Sequence, residues 1–121
     1  MIDKAAGLFE IVTDTDSLRK IVNGGNVVVA YMTDWCGPCI RNVHEFFYDR
    51  ERIRREIGKR NLRLAYVDPD FVAPVHDVSA VPVYFAHGSN GDIVGFNVGK
   101  IGPNGFIEFL ERCYGHLTAQ P

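Results

Sequence analysis

Apolar residues along the chain fall into short continuous runs and into stretches with helical spacing. The run Val27–Met32 has no polar interruption, which is typical of a central strand covered on both faces. Four further runs have strand length, namely Leu8–Val12, Leu62–Val67, Val83–Ala86 and Ile93–Val98. The pattern therefore predicts five strands.

Helical spacing appears in three other stretches. Four residues suited to capping, at positions 13–16, precede Leu18, Ile21 and Val22, and the predicted helix ends at Gly24-Gly25. The second helix begins at the cysteine pair, and a phase slip at positions 48–50 predicts a break in it. Its apolar positions are Ile40, Val43, Phe47, Ile53 and Ile57. The last helix begins near Pro103-Asn104, with an apolar stripe of Phe106, Phe109, Leu110, Cys113 and Leu117.

These elements follow one another as βαβαβ and then ββα. Residues 68–80 are predicted to be a connection with one short helix, and residues 87–92 form a turn-rich linker whose Asn90-Gly91 step suits a hairpin. A crossover half joined to a hairpin half predicts an α/β fold with a mixed sheet and helices on both faces. No linker divides the chain, so residues 1–121 are predicted to be one domain.

Composition and charge narrow the range of partners. The formal net charge is −2, which gives no broad basic field for nucleic acid or an anionic membrane. The first residues lack a basic segment followed by an apolar core, and no apolar run is long enough to span a bilayer. We therefore expect a cytoplasmic protein. Three cysteines in total argue against a disulfide framework.

The pair Cys36 and Cys39 is the main candidate for chemistry. Two cysteines at this spacing suit a structural disulfide, half of a zinc site or a redox centre. A structural zinc site normally takes four ligands, and no second close pair of cysteines or histidines exists in the sequence. A reducing compartment disfavours a structural bridge. The pattern favours a redox pair and no metal.

The position of the pair assigns a role to each sulfur. If the strand Val27–Met32 turns into a helix at Cys36, unpaired N–H groups and the helix dipole favour the thiolate there. The thiolate is the nucleophile of disulfide exchange, so we expect Cys36 to attack and Cys39 to resolve the mixed disulfide. Pro38 falls in the first helical turn, where its missing N–H costs little.

The motif Trp35-Cys36-Gly37-Pro38-Cys39 resembles the active-site signature of the thioredoxin family, and the resemblance extends from about Leu8 to Leu117. Val81-Pro82 resembles the family's active-site proline, which is expected to be cis, and Asn90-Gly91 and Gly99 resemble its hairpin turn and late glycine. The resemblance implies the thioredoxin fold. It also implies that Trp35, Gly37, Pro38 and Pro82 support the active site. The substrate-binding residues that it implies are Asp34, Val81, Gly99 and Lys100.

The resemblance also implies a function. A family member is expected to reduce protein disulfides as a monomer and to be reduced in turn by a thioredoxin reductase or a similar donor. It needs no bound cofactor, because the Cys36–Cys39 pair carries both electrons. Two alternatives stay open: a disulfide oxidase or isomerase, and a thioredoxin-fold binding module with idle cysteines.

Two residues depart from the family pattern. Members typically carry a buried Asp six residues before the first cysteine, where this chain has Ala30, and a partner Lys, where it has Leu64. The change removes both charges together and leaves Cys39 without its usual proton acceptor. We therefore predict slow resolution of the mixed disulfide. His44 is no substitute base by helical spacing, since it lies about 140° around the axis from Cys39. Cys113 is predicted to be a buried, inert thiol.

Overall fold

The computed structural model describes residues 2–115. In chain order the elements are α1 (Ile2–Ala6), β1 (Glu10–Ile11), α2 (Thr15–Gly24), β2 (Val27–Tyr31), α3 (Gly37–Tyr48), α4 (Arg50–Lys59), β3 (Arg63–Val67), β4 (Val83–His87), β5 (Ile93–Val98) and α5 (Pro103–Tyr114). The predicted α/β class and the order of strands are confirmed.

The five strands form one mixed sheet in the order β1-β3-β2-β4-β5. Strand β2 lies at the centre, parallel to β3 and antiparallel to β4, and all five of its residues are buried. Both faces are covered at this point, which explains the uninterrupted apolar run. β4 and β5 form the predicted antiparallel hairpin, with an irregularity between Ala86 and His87.

The two faces of the sheet bury separate sets of side chains. One face, which carries Ala30, packs against α1, α3, α4 and α5, and its core includes Cys36 and Cys39. The other face, which carries Tyr31, packs against α2 and against valines of the 68–82 connection. Alternate residues of β2 therefore point to opposite faces. The cysteine pair belongs to the core below the Ala30 face.

Local signals set the ends of the first crossover helix. Asp14 caps α2 by accepting a 2.8 Å hydrogen bond from the Ser17 N–H. Gly25 ends the helix at φ +71°, and a Cβ there would lie 2.6 Å from the Gly88 carbonyl oxygen. Only glycine fits this approach of the helix end to the hairpin turn.

The phase slip in the second helix is a real break. α3 ends at Tyr48 and α4 begins at Arg50, with Asp49 between them at φ −114° and ψ 26°. The Asp49 N–H still bonds to carbonyl oxygens of the last α3 turn. Ile53 of α4 is thereby turned into the same core as α3.

The structure differs from the sequence prediction in three places. α1 was not predicted, and its chain end folds back so that the Phe9 N–H bonds to the Ala5 carbonyl, which shortens β1 to two residues. The short helix predicted within residues 68–80 is wrong: turns replace it, and the prolines at 69 and 74 disfavour helical backbone before them. His116 and Leu117, the latter on the predicted last stripe, lie outside the described residues.

None of the helices among residues 2–115 is long and apolar enough to cross a membrane.

Candidate active site

The cysteine pair lies where β2 ends and α3 begins. Cys36 is the N-cap residue of α3, and its Sγ accepts a 3.3 Å hydrogen bond from the Cys39 N–H. An N-cap side chain normally satisfies one of the free N–H groups of the first turn, and here a sulfur does so. The Sγ atom therefore lies at the positive, N-terminal end of the α3 dipole. Both residues are thiols, and Cys36 is 6% exposed while Cys39 is fully buried.

The loop that precedes β4 contacts Cys36 through Val81. The Val81–Pro82 peptide bond is cis, as the resemblance predicts. The Cys36 Sγ donates to the Val81 carbonyl oxygen at 3.6 Å, and the Gly99 N–H donates to the Pro82 carbonyl oxygen at 2.8 Å. Val81 therefore contacts Cys36, and Gly99 is bonded to the adjacent Pro82. All three residues lie far from Cys36 in the sequence.

Trp35 and Asp34 are exposed on the outer side of the pair. The Trp35 indole is 71% exposed, and its N–H donates a 2.8 Å hydrogen bond to Asp70 Oδ2. Trp35 also lines a shallow groove with Val81 and residues of the 68–82 connection. The indole therefore frames a groove that includes Val81, the residue whose carbonyl contacts Cys36.

The remaining predicted substrate residues follow β5. Gly99 has φ +99°, and a Cβ there would meet nothing within 4 Å, so the backbone angle rather than space favours glycine. Lys100 forms a 2.8 Å ion pair with Glu45 of α3, which holds its ammonium against the active-site helix. Gly37 and Pro38 form the first turn of α3.

The pKa of the Cys39 thiol differs strongly from that of a free cysteine. Burial, together with the hydrogen bond and the charge of Cys36, raises the pKa of the Cys39 thiol to about 12. Ala30 and Leu64 are both buried and apolar, but the register places Tyr66 rather than Leu64 opposite Ala30, and Leu64 pairs with Val28. Cys39 is therefore protonated near neutral pH, so an attack by its sulfur would require the loss of that proton.

A buried polar cluster behind the pair was missed by sequence reasoning. Asn42, on α3 and fully buried, donates to the Ile101 carbonyl at 2.6 Å and accepts from the Tyr84 hydroxyl at 2.7 Å. The Ile101 N–H also bonds to Asn42 Oδ1, at 3.3 Å. The cluster fastens the loop that carries Gly99 to the active-site helix. The sequence feature that could have revealed the cluster is a polar residue, Asn42, three positions after Cys39 and thus on the same side of the helix.

A second polar network fastens the 68–82 connection to the sheet. Tyr31 Oη lies 2.6 Å from His76 Nδ1, His76 Nε2 lies 2.7 Å from His87 Nε2, and His87 Nδ1 lies 2.7 Å from the Gly91 carbonyl oxygen. The His76 ring also stacks on Phe85, with centroids 4.2 Å apart. Residues 87–92 were predicted as a linker, yet His87 ends β4 and is buried.

His44 and Cys113 stand apart from the pair. His44 Nδ1 lies 2.9 Å from the Lys4 ammonium of α1, which agrees with its predicted place on another face of α3. Cys113 is half-buried rather than fully buried, and burial raises the pKa of its thiol. Among residues 2–115 no group of three or more His, Cys, Asp or Glu side chains is arranged to hold a metal ion.

Comparisons with known proteins bear on the fold. No protein-family model matches the sequence, and no curated protein matches it. Solved structures do match. A thioredoxin from Fasciola hepatica has 24% identity and a TM-score of 0.68, with 87% of this chain and 99% of that chain covered. The chain has the thioredoxin fold.

Two further structures with the thioredoxin fold are similar to this chain. A mutant thioredoxin from Halobacterium salinarum has 20% identity and a TM-score of 0.68, with 92% of this chain and 94% of that chain covered. A thioredoxin from Trypanosoma brucei brucei has 19% identity and a TM-score of 0.67, with 85% and 88% covered. The likeness therefore spans most of the chain.

Proposed function

We propose that this chain is a member of the thioredoxin family that reduces protein disulfides through Cys36 and Cys39. One observation carries the proposal: Cys36 Sγ caps a helix, accepts the Cys39 N–H, and lies beside the Val81 carbonyl. A sulfur placed in this way lies at a helix N-terminus, which favours a nucleophilic thiolate, and its resolving partner is one helical turn away.

The proposed reaction has two exchange steps. The Cys36 thiolate attacks one sulfur of a substrate disulfide, and the other substrate sulfur leaves as a thiolate. Cys39 then loses its proton and attacks Cys36 Sγ, which releases the second substrate thiolate and forms the Cys36–Cys39 disulfide. Two electrons pass to the substrate. A thioredoxin reductase or a similar donor restores the dithiol, and no bound cofactor is needed.

The groove beside Cys36 is the proposed substrate site. An extended segment of the substrate pairs with the backbone of Val81 and lies between Trp35 and the Gly99 loop, with Asp34 and Lys100 at its edges. Pro82 holds this backbone in place. A monomer presents this surface freely. A dithiol that is recycled for reduction suits a reducing compartment, so the cytoplasm is the proposed location.

Equilibration of the protein with glutathione buffers, combined with an insulin-type reduction assay, tests the proposal. A strongly reducing potential and catalysed reduction are expected. Cys36→Ser should abolish turnover, Cys39→Ser should accumulate the mixed disulfide, and Cys113→Ser should match the wild type. A high potential would favour the oxidase or isomerase instead. Full function of the Cys36→Ser and Cys39→Ser variants would favour the binding module.

A further inference from the structure

Two buried tyrosines flank Ala30 in the sheet. The register pairs Ala30 with Tyr66 of β3 on one side and with Tyr84 of β4 on the other. Both side chains belong to the core that contains Cys36 and Cys39, and Tyr66 is 1% exposed. The small Ala30 side chain thus leaves two phenol groups as the polar groups next to the position of the family's missing acid.

The two hydroxyl groups differ in their partners. The Tyr84 hydroxyl donates to Asn42 Oδ1 at 2.7 Å. The Tyr66 hydroxyl is fully buried and has no hydrogen-bond partner among residues 2–115. An unpaired buried hydroxyl costs stability, because its desolvation is not compensated, and such a group calls for an explanation. The unpaired Tyr66 hydroxyl does not stabilise the fold, so it is a candidate for a role in the chemistry of the site.

Tyr66 shares a cavity with two carboxylates. Tyr66 lines a small cavity together with Asp34 and Asp68, and the wall of the cavity is otherwise largely apolar. Burial raises the pKa of Tyr66, and the charges of Asp34, Asp68 and Cys39 raise it further. Tyr66 therefore belongs to the same buried core as Cys39 and to the same cavity as the two carboxylates.

Asp68 is suited to accept a proton. Burial raises its pKa, and the charges of Asp70 and Asp34 act in the same direction, although the Asp70 N–H, which donates to Asp68 Oδ1 at 2.9 Å, opposes them. A base is more effective as its pKa approaches the operating pH. Asp68 also lies at the end of β3, two residues beyond Tyr66, where it is part-exposed and can release a proton to solvent.

We propose that the Tyr66 hydroxyl relays the proton of Cys39 to the Asp68 carboxylate when Cys39 resolves the mixed disulfide. This inference rests on the proposed function. As Cys39 Sγ bonds to Cys36 Sγ, the bond between Cys36 and the substrate breaks and its electron pair leaves with the substrate sulfur. Tyr66 Oη takes the Cys39 proton while it passes its own proton to Asp68, so tyrosine is unchanged at the end. Asp68 then releases the proton to water.

Single-turnover kinetics of Tyr66→Phe test the relay. The variant keeps the ring, including its edge-on contact with Phe9, and removes only the unpaired hydroxyl. We expect resolution of a preformed mixed disulfide to slow by at least about tenfold at pH 7. Attack by Cys36, measured in a Cys39→Ser background with and without Tyr66→Phe, should keep its rate. Denaturant unfolding should show that Tyr66→Phe is as stable as the wild type or more so.

The pH dependence separates a relay from a packing effect. In the wild type the resolution rate should level off above the pKa of Asp68, whereas in Tyr66→Phe it should rise with pH throughout. Asp68→Asn should give the same profile, and the double variant should be no slower than either single variant, because both residues act in one path. Tyr84→Phe is the matched control, since its hydroxyl has a structural partner, and it should keep the wild-type profile.

Three results would overturn the relay. One is a Tyr66→Phe variant with the wild-type resolution rate and profile, another is an equal loss in Tyr84→Phe, and the third is fully additive losses in the double variant. A wild-type protein that reduces no disulfide at all would instead overturn the proposed function, so the two failures are distinguishable.

Discussion

The Nε2 atoms of His76 and His87 lie 2.7 Å apart, in contact across the 68–82 connection and β4. The Gly91 carbonyl can only accept, so His87 Nδ1 carries a proton and donates to it. The Nε2 atom of His87 can then accept from His76 Nε2, and the Tyr31 hydroxyl can donate to His76 Nδ1. If both rings carried two protons, two N–H groups would face each other at the Nε2 atoms, and the chain of bonds would be broken there.

This network predicts loss of stability in acid. Burial and the neighbouring His87 lower the pKa of His76 to about 4, below the value of about 6.5 for a free histidine. The unfolded chain therefore binds more protons between these values, so the free energy of unfolding falls as the pH drops from about 6.5 toward 4. We expect a loss of about 1–2 kcal/mol, less than the full linkage value because His76 is partly solvated. Urea unfolding across this range measures it.

The control for the acid prediction lies elsewhere on the surface. His76→Gln should flatten the dependence of unfolding free energy on pH, whereas His44→Gln, on α3 and outside the network, should leave it intact. Equal slopes in all three proteins would contradict the assignment to His76.

Restoring an acid at position 30 should speed resolution and cost stability. Ala30 is fully buried between two tyrosines, so Ala30→Asp places a carboxylate near Cys39 but desolvates it. We expect resolution at pH 7 to accelerate by about tenfold and the free energy of unfolding to fall by about 2–4 kcal/mol. Stopped-flow reduction of a model disulfide and urea unfolding measure the two effects.

Ala86→Asp is the matched control for Ala30→Asp. Ala86 is equally buried on the same face of the sheet, but it pairs with Val28, two residues earlier along β2. Ala86→Asp should lower the free energy of unfolding by a similar amount, but it should not accelerate resolution of the mixed disulfide. No acceleration in Ala30→Asp, or the same acceleration in both variants, would count against a missing proton acceptor at position 30.

The Asn42 cluster should contribute strongly to stability. Asn42→Leu keeps the side-chain size but leaves the Tyr84 hydroxyl and both backbone groups of Ile101 without their partner. We expect the free energy of unfolding to fall by about 2–4 kcal/mol in denaturant titrations. Adding Tyr84→Phe to Asn42→Leu removes one of the orphaned groups, so the double variant should be the more stable of the two. If the double variant is the less stable of the two, the broken hydrogen bond between Tyr84 and Asn42 is not the source of the lost stability.

Gly95 of β5 should not tolerate a side chain. A Cβ at Gly95 would lie 2.4 Å from Cys113 Sγ, so Gly95→Ala should lower the free energy of unfolding by about 1–3 kcal/mol. Cys113→Ala in the same protein should recover part of the loss. Gly58→Ala is the control, because a Cβ at that helical position meets nothing within 4 Å, and it should stabilise by about 0.5–1 kcal/mol. A Gly95→Ala variant as stable as the wild type would contradict the packing.

Much of the site could be read from local sequence. The helix start at Cys36 depends on a short stretch whose residue types act nearby, and it is present; the cis bond before Pro82, which the resemblance implied, is present as well. The short helix predicted within residues 68–80 is absent, because the valines there suit either a helix or a connection. The path of this connection is set instead by the contacts of His76 with Tyr31 and His87, and no local sequence pattern encodes these contacts.

By itself the sequence determined the class of the fold, the order of strands and the position of the cysteine pair at a helix start, since periodicity and capping act over a few residues. It also showed that Ala30 and Leu64 are apolar. Only the tertiary structure decided what surrounds them, because register across the sheet sets neighbours that are 36 and 54 residues from Ala30 along the chain, Tyr66 and Tyr84. One of these hydroxyls is paired and the other is free, and that difference depends on where Asn42 of α3 lies above the sheet.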